Sequence, residues 1–233
     1  MTEIETRAQA IHERIQTALS RAGRTDKVDI VAVSKTRTVE EMHYAERSPY
    51  IDSFGENRVQ EGDAKRKTYG TSRIFWRLIG HLQGNKVRKA LDIFDTIDSL
   101  DSIELAFRVD RIAAEMNKVI PVLIEVNTSG EASKSGISPE GFMQLLDTVI
   151  PLKNLMLKGL MTVGPITDSE REIRRAFASL RELAENARAR SGLLLPELSM
   201  GMSVDFEAAI LEGSTMVRIG TLLFGAREYP YKL

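Results

Sequence analysis

A regular alternation between short apolar runs and longer stretches with helical periodicity constrains the fold most. Eight such pairs follow one another with short connections, after a leading amphipathic segment at residues 2–22. Alternating strands and helices predict a parallel sheet. Eight units in 233 residues favour a single α/β (β/α)8 barrel, a TIM barrel with an additional N-terminal helix, over an open doubly wound sheet of about five to seven strands. The predicted strands occupy residues 29–35, 51–54, 75–80, 93–97, 122–126, 157–163, 197–201 and 215–219.

Composition and charge narrow the class of protein. Lys and Arg number 32 against 33 Asp and Glu, so the formal net charge of −1 provides no overall attraction to nucleic acid or to anionic membranes. The absence of cysteine excludes disulfides, thiolate metal sites and thiol nucleophiles. A polar N-terminus and the lack of an apolar run of about 20 residues predict a soluble, cytoplasmic protein. No linker interrupts the chain, so we expect residues 1–233 to form one domain.

Lys35 ends the first predicted strand, an apolar run rich in Val and Ile. Such a run is typical of a strand that is buried on both faces of a parallel sheet. A lysine at its end either reaches into water or lies partly desolvated in a pocket, where its amine becomes a nucleophile toward carbonyl groups. Taken alone, Lys35 favours the first interpretation, because lysines are mostly exposed.

The ends of the seventh and eighth strands carry small residues and hydroxyl groups. In a (β/α)8 barrel the active site lies at the C-terminal ends of the strands, and phosphate groups bind near the loops after strands seven and eight. These ends contain Ser199, Gly201, Ser203, Gly220 and Thr221. A helix that starts near Ser203 would add its dipole at the same point. The alternative is that these residues only turn the chain and cap a helix.

Arg218 lies within the eighth strand, where alternation points its side chain into the mouth of the barrel. A buried cation needs a partner. An unprotonated nitrogen of an aromatic ring would provide one, and a salt bridge to Glu125 or Glu56 is the alternative. A nucleophilic Lys35, a phosphate site and Arg218 together describe pyridoxal 5′-phosphate (PLP) held as an internal aldimine, a Schiff base on Lys35.

Several other residues belong to this interpretation. Asn57 and His81 lie at neighbouring strand ends and would contact the ring, although a structural hydrogen bond is the alternative for His81. The loop at residues 128–136 would close over the mouth as a lid or remain an ordinary mobile loop. The basic run at residues 65–67 is interpreted as a solvated helix end. With three histidines spread along the chain, no metal site is expected.

Seven groups of residues occur in a distinctive order along nearly the whole chain. They are VAVSK at 31–35, FGENRVQE at 54–61, IGHLQ at 79–83 with NK at 85–86, EVN at 125–127, KGLM at 158–161, LSMGMS at 198–203 and GSTMVRIG at 213–220. In this order they closely resemble the pyridoxal-phosphate homeostasis protein family, single-domain relatives of the barrel half of bacterial alanine racemase, PLP fold type III. One departure is Arg77, where many relatives carry His.

The resemblance implies a cofactor-binding set of residues. It places the cofactor on Lys35, Arg218 at the pyridine nitrogen and Asn57 near the ring. It places phosphate contacts around Ser199, Met200, Gly201, Gly220 and Thr221. His81, Met161 and Ser203 complete the candidate set.

The expected function is PLP binding in vitamin B6 homeostasis: storage, protection and delivery, with no catalytic residues and little or no turnover. Arginine is effectively always protonated, so Arg218 cannot give a proton to the ring nitrogen, and the ring becomes a poor electron sink. The resemblance implies apo PLP-dependent enzymes as recipients, and we expect a monomer. The alternative is a PLP-dependent amino-acid racemase of fold type III. Tyr229 and Tyr231 are expected to pack against the barrel base or the leading helix rather than approach a neighbour's site.

Overall fold

Eight parallel strands pair in chain order and close a barrel in the computed structural model, which describes residues 2–71 and 73–226. The strands are β1 (Asp29–Val33), β2 (Ser53–Glu56), β3 (Phe75–Leu78), β4 (Thr96–Leu100), β5 (Ile120–Glu125), β6 (Leu155–Met161), β7 (Glu197–Met202) and β8 (Met216–Ile219). Since every neighbouring pair is parallel, all C-terminal strand ends open on one face. The predicted (β/α)8 barrel is confirmed.

Helices form the outer layer. They are α1 (Glu3–Arg21), α2 (Val39–Arg47), α3 (Val59–Tyr69), α4 (Val87–Ile93), α5 (Ile103–Glu115), α6 (Pro139–Val149), α7 (Glu170–Ser191), α8 (Phe206–Leu211) and α9 (Thr221–Phe224). A 3-10 turn at Gly84–Lys86 precedes α4. Side-chain caps begin many of these helices, and Thr2 with Glu5 and Thr38 with Glu41 form complete capping boxes.

The leading helix α1 completes the helical ring. The helix after β8 is only four residues long, and α1 packs against α2, α8 and α9. Its buried stripe includes Ile4, Ile11 and Ile15, as the helical periodicity of residues 2–22 predicts. The additional N-terminal helix therefore covers the part of the barrel wall that α9 is too short to cover.

Alternate strand residues divide between the outer core and the barrel interior. Ile30, Trp76, Ile124 and other outward-facing residues join one large apolar cluster with the helices. The barrel interior also contains polar side chains. Arg77 donates to Asp98 at 3.2 Å and to Glu197 at 3.0 Å, and Thr96 donates to Asp98 at 2.7 Å. The carboxylate charges stabilise the buried guanidinium, because an unpaired charge there would be costly.

Three local predictions are wrong. The fourth strand begins at Thr96, because Ile93 ends α4 and Phe94 is its C-terminal cap. Asp98 and Ser99, which follow the predicted strand at 93–97, therefore lie within β4. The eighth helix begins at Phe206, and Val204 is exposed in the preceding loop. Lys65, interpreted as part of a solvated helix end, is buried.

Two remaining predictions concern other parts of the chain. Tyr229 and Tyr231 lie outside the described residues. Within residues 2–71 and 73–226, the helices are too short or too polar to cross a membrane.

Candidate functional site

A cleft of about 260 Å³ opens at the mouth of the barrel, between the C-terminal ends of β1, β7 and β8. It is lined by Val33, Lys35, Arg37, Met202, Ser203, Val204, Arg218, Gly220 and Thr221. Lys35, Ser203, Arg218, Gly220 and Thr221, which the sequence assigned to three separate strand ends, therefore meet in one place. Sequence reasoning missed Arg37, which donates to the carbonyl of Gly225 and pairs with Glu41 at 3.3 Å.

The backbone beside Lys35 is held in an unusual conformation. Thr36 has φ 64°, in the left-handed region that a threonine rarely adopts. Its N–H donates to Glu61 at 2.5 Å. The buried Lys65 ammonium donates in turn to Glu61 and Glu56, both at 2.7 Å, and to the carbonyl of Ser34 at 2.5 Å. These contacts from α3 and β2 fix the turn that follows β1.

Arg218 is buried, and its guanidinium is held by uncharged groups. It donates to the Ser199 carbonyl at 2.7 Å, the Ser199 hydroxyl at 2.8 Å and the Thr162 carbonyl at 2.7 Å. These bonds leave other donors of the guanidinium for a ligand at the cleft. Burial lowers the pKa of Arg218, while Glu125, Asp98 and Asp205 act in the opposite direction.

The expected alternative, a salt bridge from Arg218 to Glu56 or Glu125, does not describe this geometry. Glu56 pairs with Lys65 instead, at 2.7 Å. Glu125 affects Arg218 through its charge, but the guanidinium directs its hydrogen bonds to Ser199 and Thr162.

Ser199, Met200 and Gly201 of β7, which the resemblance places near the phosphate, differ in what their side chains contact. The Ser199 hydroxyl faces Arg218. The side chain of Met200 belongs to the outer core, so only its backbone is available at the mouth. Gly201 has φ 94°, and a Cβ there would lie 2.6 Å from the Cβ of Ala209. Gly201 is therefore required for close packing of α8 against β7, as the alternative interpretation of these small residues proposed.

The loops after β7 and β8 meet at the cleft. Ser203 accepts a hydrogen bond from the N–H of Leu222 at 3.4 Å. Asp205 accepts one from the N–H of Met202 at 2.6 Å, and burial raises the pKa of its carboxyl. The two loops thereby hold Ser203 and Thr221 at one end of the cleft.

Asn57 and His81 line a second cleft of about 530 Å³ together with Lys86. The structure therefore does not bring them into the Lys35 cleft. Nδ1 of His81 lies 2.8 Å from a carboxylate oxygen of Asp101, which is the structural hydrogen bond that the sequence left as the alternative. Oδ1 of Asn57 is buried and has no hydrogen-bond partner among the described residues.

Glu125 ends β5 and was expected only as a possible partner of Arg218. Its side chain is 5% exposed, and its Oε2 has no hydrogen-bond partner in the described part of the chain. Burial and the charge of Asp101 raise its pKa to about 7, against the opposing effects of Arg218 and His81. Met161, its register partner on β6, is also fully buried.

The cleft has the chemistry to hold a flat anionic ligand that carries a carbonyl. Arg218 offers buried donors, and Ser203 and Thr221 offer hydroxyls. Val33, Met202 and Val204 provide apolar walls. Outside this cleft, Oδ1 of Asn57 in the neighbouring cleft and Oε2 of Glu125 at the end of β5 are buried without partners among the described residues.

Comparisons with known proteins agree with this architecture. A family model described as the alanine racemase N-terminal domain matches residues 7–228. The pyridoxal phosphate homeostasis protein of Aquifex aeolicus is 41% identical over 227 residues, which cover 96% of this chain and 98% of that protein.

Two solved structures are similar as well. PipY of Synechococcus elongatus, solved with PLP bound, has a TM-score of 0.82 and 34% identity, covering 96% of this chain and 100% of that chain. Alanine racemase of Clostridium difficile shares the fold, with a TM-score of 0.71, 19% identity and coverage of 94% of this chain and 58% of the racemase. The chain described here belongs to the pyridoxal phosphate homeostasis protein family, and its barrel is that of the alanine racemase N-terminal domain.

Proposed function

We propose that this chain binds PLP at the Lys35 cleft and acts in PLP homeostasis. The observation that carries the proposal is that Lys35 and Arg218 line the same cleft as the hydroxyls of Ser203 and Thr221. The cofactor supplies an aldehyde, which a lysine amine attacks with loss of water. The family relationship and the PLP-bound structure of PipY support the assignment.

Each end of the cleft has a separate task in this proposal. Lys35 attaches the cofactor, and Arg218 donates to the ring nitrogen. Ser203, Gly220 and Thr221 bind the phosphate. Ser199, Met200 and Gly201 support the phosphate end through the backbone of β7 and through the position of Arg218. Asn57 and His81 line the neighbouring cleft, and Met161 is buried beside Glu125, so in this proposal they support the walls of the site from outside the Lys35 cleft.

We further propose that the chain stores and delivers PLP with little or no turnover, as a single-domain monomer that serves apo PLP-dependent enzymes. Arg218 is bound by carbonyl and hydroxyl groups and remains a cation, so it cannot protonate the ring nitrogen. A ring that stays unprotonated withdraws electrons poorly, which disfavours carbanion chemistry.

Covalent trapping tests the binding site. The protein is mixed with PLP and reduced with borohydride, and the modified peptide is identified by mass spectrometry. We expect the label on Lys35 and a visible absorption band that Lys35→Ala abolishes, while Lys67→Ala, an exposed lysine on α3, retains it. A full visible band in Lys35→Ala, unchanged in wavelength, would contradict the proposal.

Activity assays test the carrier role. Racemase, transaminase and decarboxylase rates are measured on the PLP-loaded protein with each common amino acid. A turnover above about 1 s⁻¹, within the usual range of enzymes, would support a racemase-type enzyme instead. Transfer is measured by adding an apo-enzyme and following recovery of its activity.

A further inference from the structure

Glu125 points into the barrel interior at its mouth. Along β5, Val122 and Ile124 belong to the outer apolar cluster, so alternation turns Leu123 and Glu125 inward. Glu125 is the last residue of its strand and therefore lies in the layer nearest the mouth. Because the barrel closes in chain order, β5 lies across the barrel from β1, which leads to Lys35.

The carboxyl of Glu125 is not satisfied by the protein. The residue is 95% buried, and Oε2 has no hydrogen-bond partner among residues 2–71 and 73–226. A buried carboxylate without a partner is costly, whereas a neutral carboxylic acid costs less and carries an O–H donor. Asp98 and Glu197, two acidic residues deeper in the interior, both receive hydrogen bonds from Arg77.

The charged groups around Glu125 come from three other strands. Asp101 follows β4, His81 follows β3 and pairs with Asp101 at 2.8 Å, and Arg218 lies on β8. Asp101 favours the neutral form of Glu125, and Arg218 and His81 favour the ionised form. Asp98 and Asp205 are further acidic groups that interact with Arg218. Burial is the strongest influence, and it favours the neutral acid.

We infer that Glu125 is a cofactor-binding residue, which as a neutral carboxylic acid donates a hydrogen bond to the pyridoxal ring from the side opposite Lys35, so that ionisation of this carboxyl weakens retention of PLP. The inference rests on the proposed PLP site. A ring held between Lys35 and Arg218 would lie at the mouth of the barrel, in the layer to which Glu125 belongs and within reach of the charge of Arg218. Arg218 donates to the ring as a permanent cation, while Glu125 donates only when it is protonated.

The direction of the pH effect follows from linkage. A bound anion and the loss of water both raise the pKa of Glu125 above its value of about 7 in the free protein. PLP binding therefore takes up a proton, and a higher pH opposes it. If only the neutral acid binds, the dissociation constant rises by about 25-fold between pH 6.5 and pH 8.5 through this group alone.

Comparison of the wild type, Glu125→Gln and Asp101→Asn separates the effect of Glu125 ionisation from that of other titrating groups. Glutamine keeps the shape and an N–H donor but cannot ionise. PLP dissociation constants are measured at pH 6.5 and pH 8.5 by titration of the visible band. The pH dependence of PLP and of Lys35 is common to all three proteins, so the ratio between variants isolates Glu125. We expect the PLP dissociation constant of the wild type to rise about 25-fold more than that of Glu125→Gln over this range.

Asp101→Asn removes the neighbouring negative charge. We expect it to keep the pH dependence but to move its midpoint to lower pH, because the charge of Asp101 helps to keep Glu125 protonated. Equal pH dependence in wild type and Glu125→Gln would overturn the inference. So would loss of the pH dependence in Asp101→Asn alone, which would assign the titration to the His81 and Asp101 pair.

A second measurement does not depend on cofactor loading. NMR titration of the Glu125 carboxyl carbon in the PLP-free protein is expected to give a midpoint near 7, which rises when PLP is added. A midpoint below about 5.5, close to the usual range of glutamate, would overturn the inference even if PLP binds. If the wild type binds no PLP at either pH, the proposed function itself fails, and this inference fails with it.

Discussion

Thr36 shows at the scale of one residue how the site is positioned. A left-handed backbone costs a non-glycine residue about 1–2 kcal/mol, and it persists where surrounding contacts fix it. Here the contact is the hydrogen bond from the Thr36 N–H to Glu61, at 2.5 Å. The direction in which Lys35 leaves β1 therefore depends on a carboxylate on α3. Lys35 lines the cleft, but no sequence pattern revealed this support.

We expect Glu61→Ala to lower the free energy of unfolding by about 1–3 kcal/mol, because Thr36 and Lys65 both lose a partner. Adding Thr36→Gly should restore about 1 kcal/mol, since glycine adopts this conformation without cost. Urea denaturation of the single and double variants measures both effects. If Thr36→Gly further destabilises the Glu61→Ala protein, the left-handed turn is not held by this contact.

At the scale of single elements, α3 differs most from its sequence-based interpretation. Residues 65–67 looked like a uniform basic helix end, but Lys65 is buried with three acceptors while Lys67 pairs with Asp63 at the surface. Charge counting cannot separate the two, because the difference lies in Glu56, a buried acid on β2 that needs a cation.

Substitution of these two lysines tests that difference. We expect Lys65→Met to lower the free energy of unfolding by about 3–5 kcal/mol, because Glu56 becomes an uncompensated buried charge. Lys67→Met, two residues further along the same helix, should change it by no more than about 0.5 kcal/mol. Denaturation of both variants at pH 7 gives the comparison. Similar small losses in both proteins would mean that the Lys65 network contributes little.

The boundaries of β4 show why other elements were misplaced. The apolar run at residues 93–97 spans the end of α4 and the start of the strand, while the strand itself continues through Asp98 and Ser99. Those polar side chains are buried by the interior cluster around Arg77 and by the carbonyl of Gly80. Hydrophobic periodicity locates a strand whose interior face is apolar, and it fails where that face is polar.

The apolar stripe of residues 2–22 predicted the helix α1. In the structure, α1 covers the part of the barrel wall that the short helix α9 leaves open. Ile15 is 1% exposed on the face that packs against α2, α8 and α9. We expect Ile15→Ala to destabilise the protein by about 2–5 kcal/mol, through lost burial and the cavity left behind. Arg21→Ala, on the exposed side of the same helix, is the matched control. Thermal unfolding of both variants measures the effect, and equal midpoints would contradict the proposed role of α1.

At the scale of the whole molecule, the charged groups of the barrel interior differ in how they are paired. The Arg77 guanidinium donates to Asp98 and Glu197 within 3.2 Å, although its Nε has no partner among the described residues. At the mouth, Asn57 and Glu125 each retain a buried oxygen without a partner in the described part of the chain. Each such group in a folded protein requires an explanation, and a ligand that completes its hydrogen bonds is one. The sequence located this mouth through Lys35 and the ends of β7 and β8, but it could not show which buried acids lack partners.

The buried, unpaired carboxyl of Glu125 makes the stability of the PLP-free protein depend on pH in a particular direction. The pKa of Glu125 is raised from 4.5 to about 7, so between these values the folded state binds more protons than the unfolded state. The contribution of Glu125 to the free energy of unfolding is fully present below pH 4.5. It falls as the pH rises to 7, by about 3 kcal/mol at most. Glu125→Gln, which stays neutral, should therefore match the wild type near pH 4.5 and exceed its stability at pH 8.

Urea denaturation at several pH values between 4.5 and 8 measures this difference. Glu140→Gln, an exposed glutamate at the start of α6, is the matched control and should show no comparable gain as the pH rises. A constant difference between Glu125→Gln and wild type across the range would mean that Glu125 ionises at its ordinary pKa in the folded protein. When PLP is added at pH 8, the advantage of Glu125→Gln over the wild type is expected to grow if the cofactor binds only the neutral acid, because the wild type must then take up a proton that the glutamine does not need.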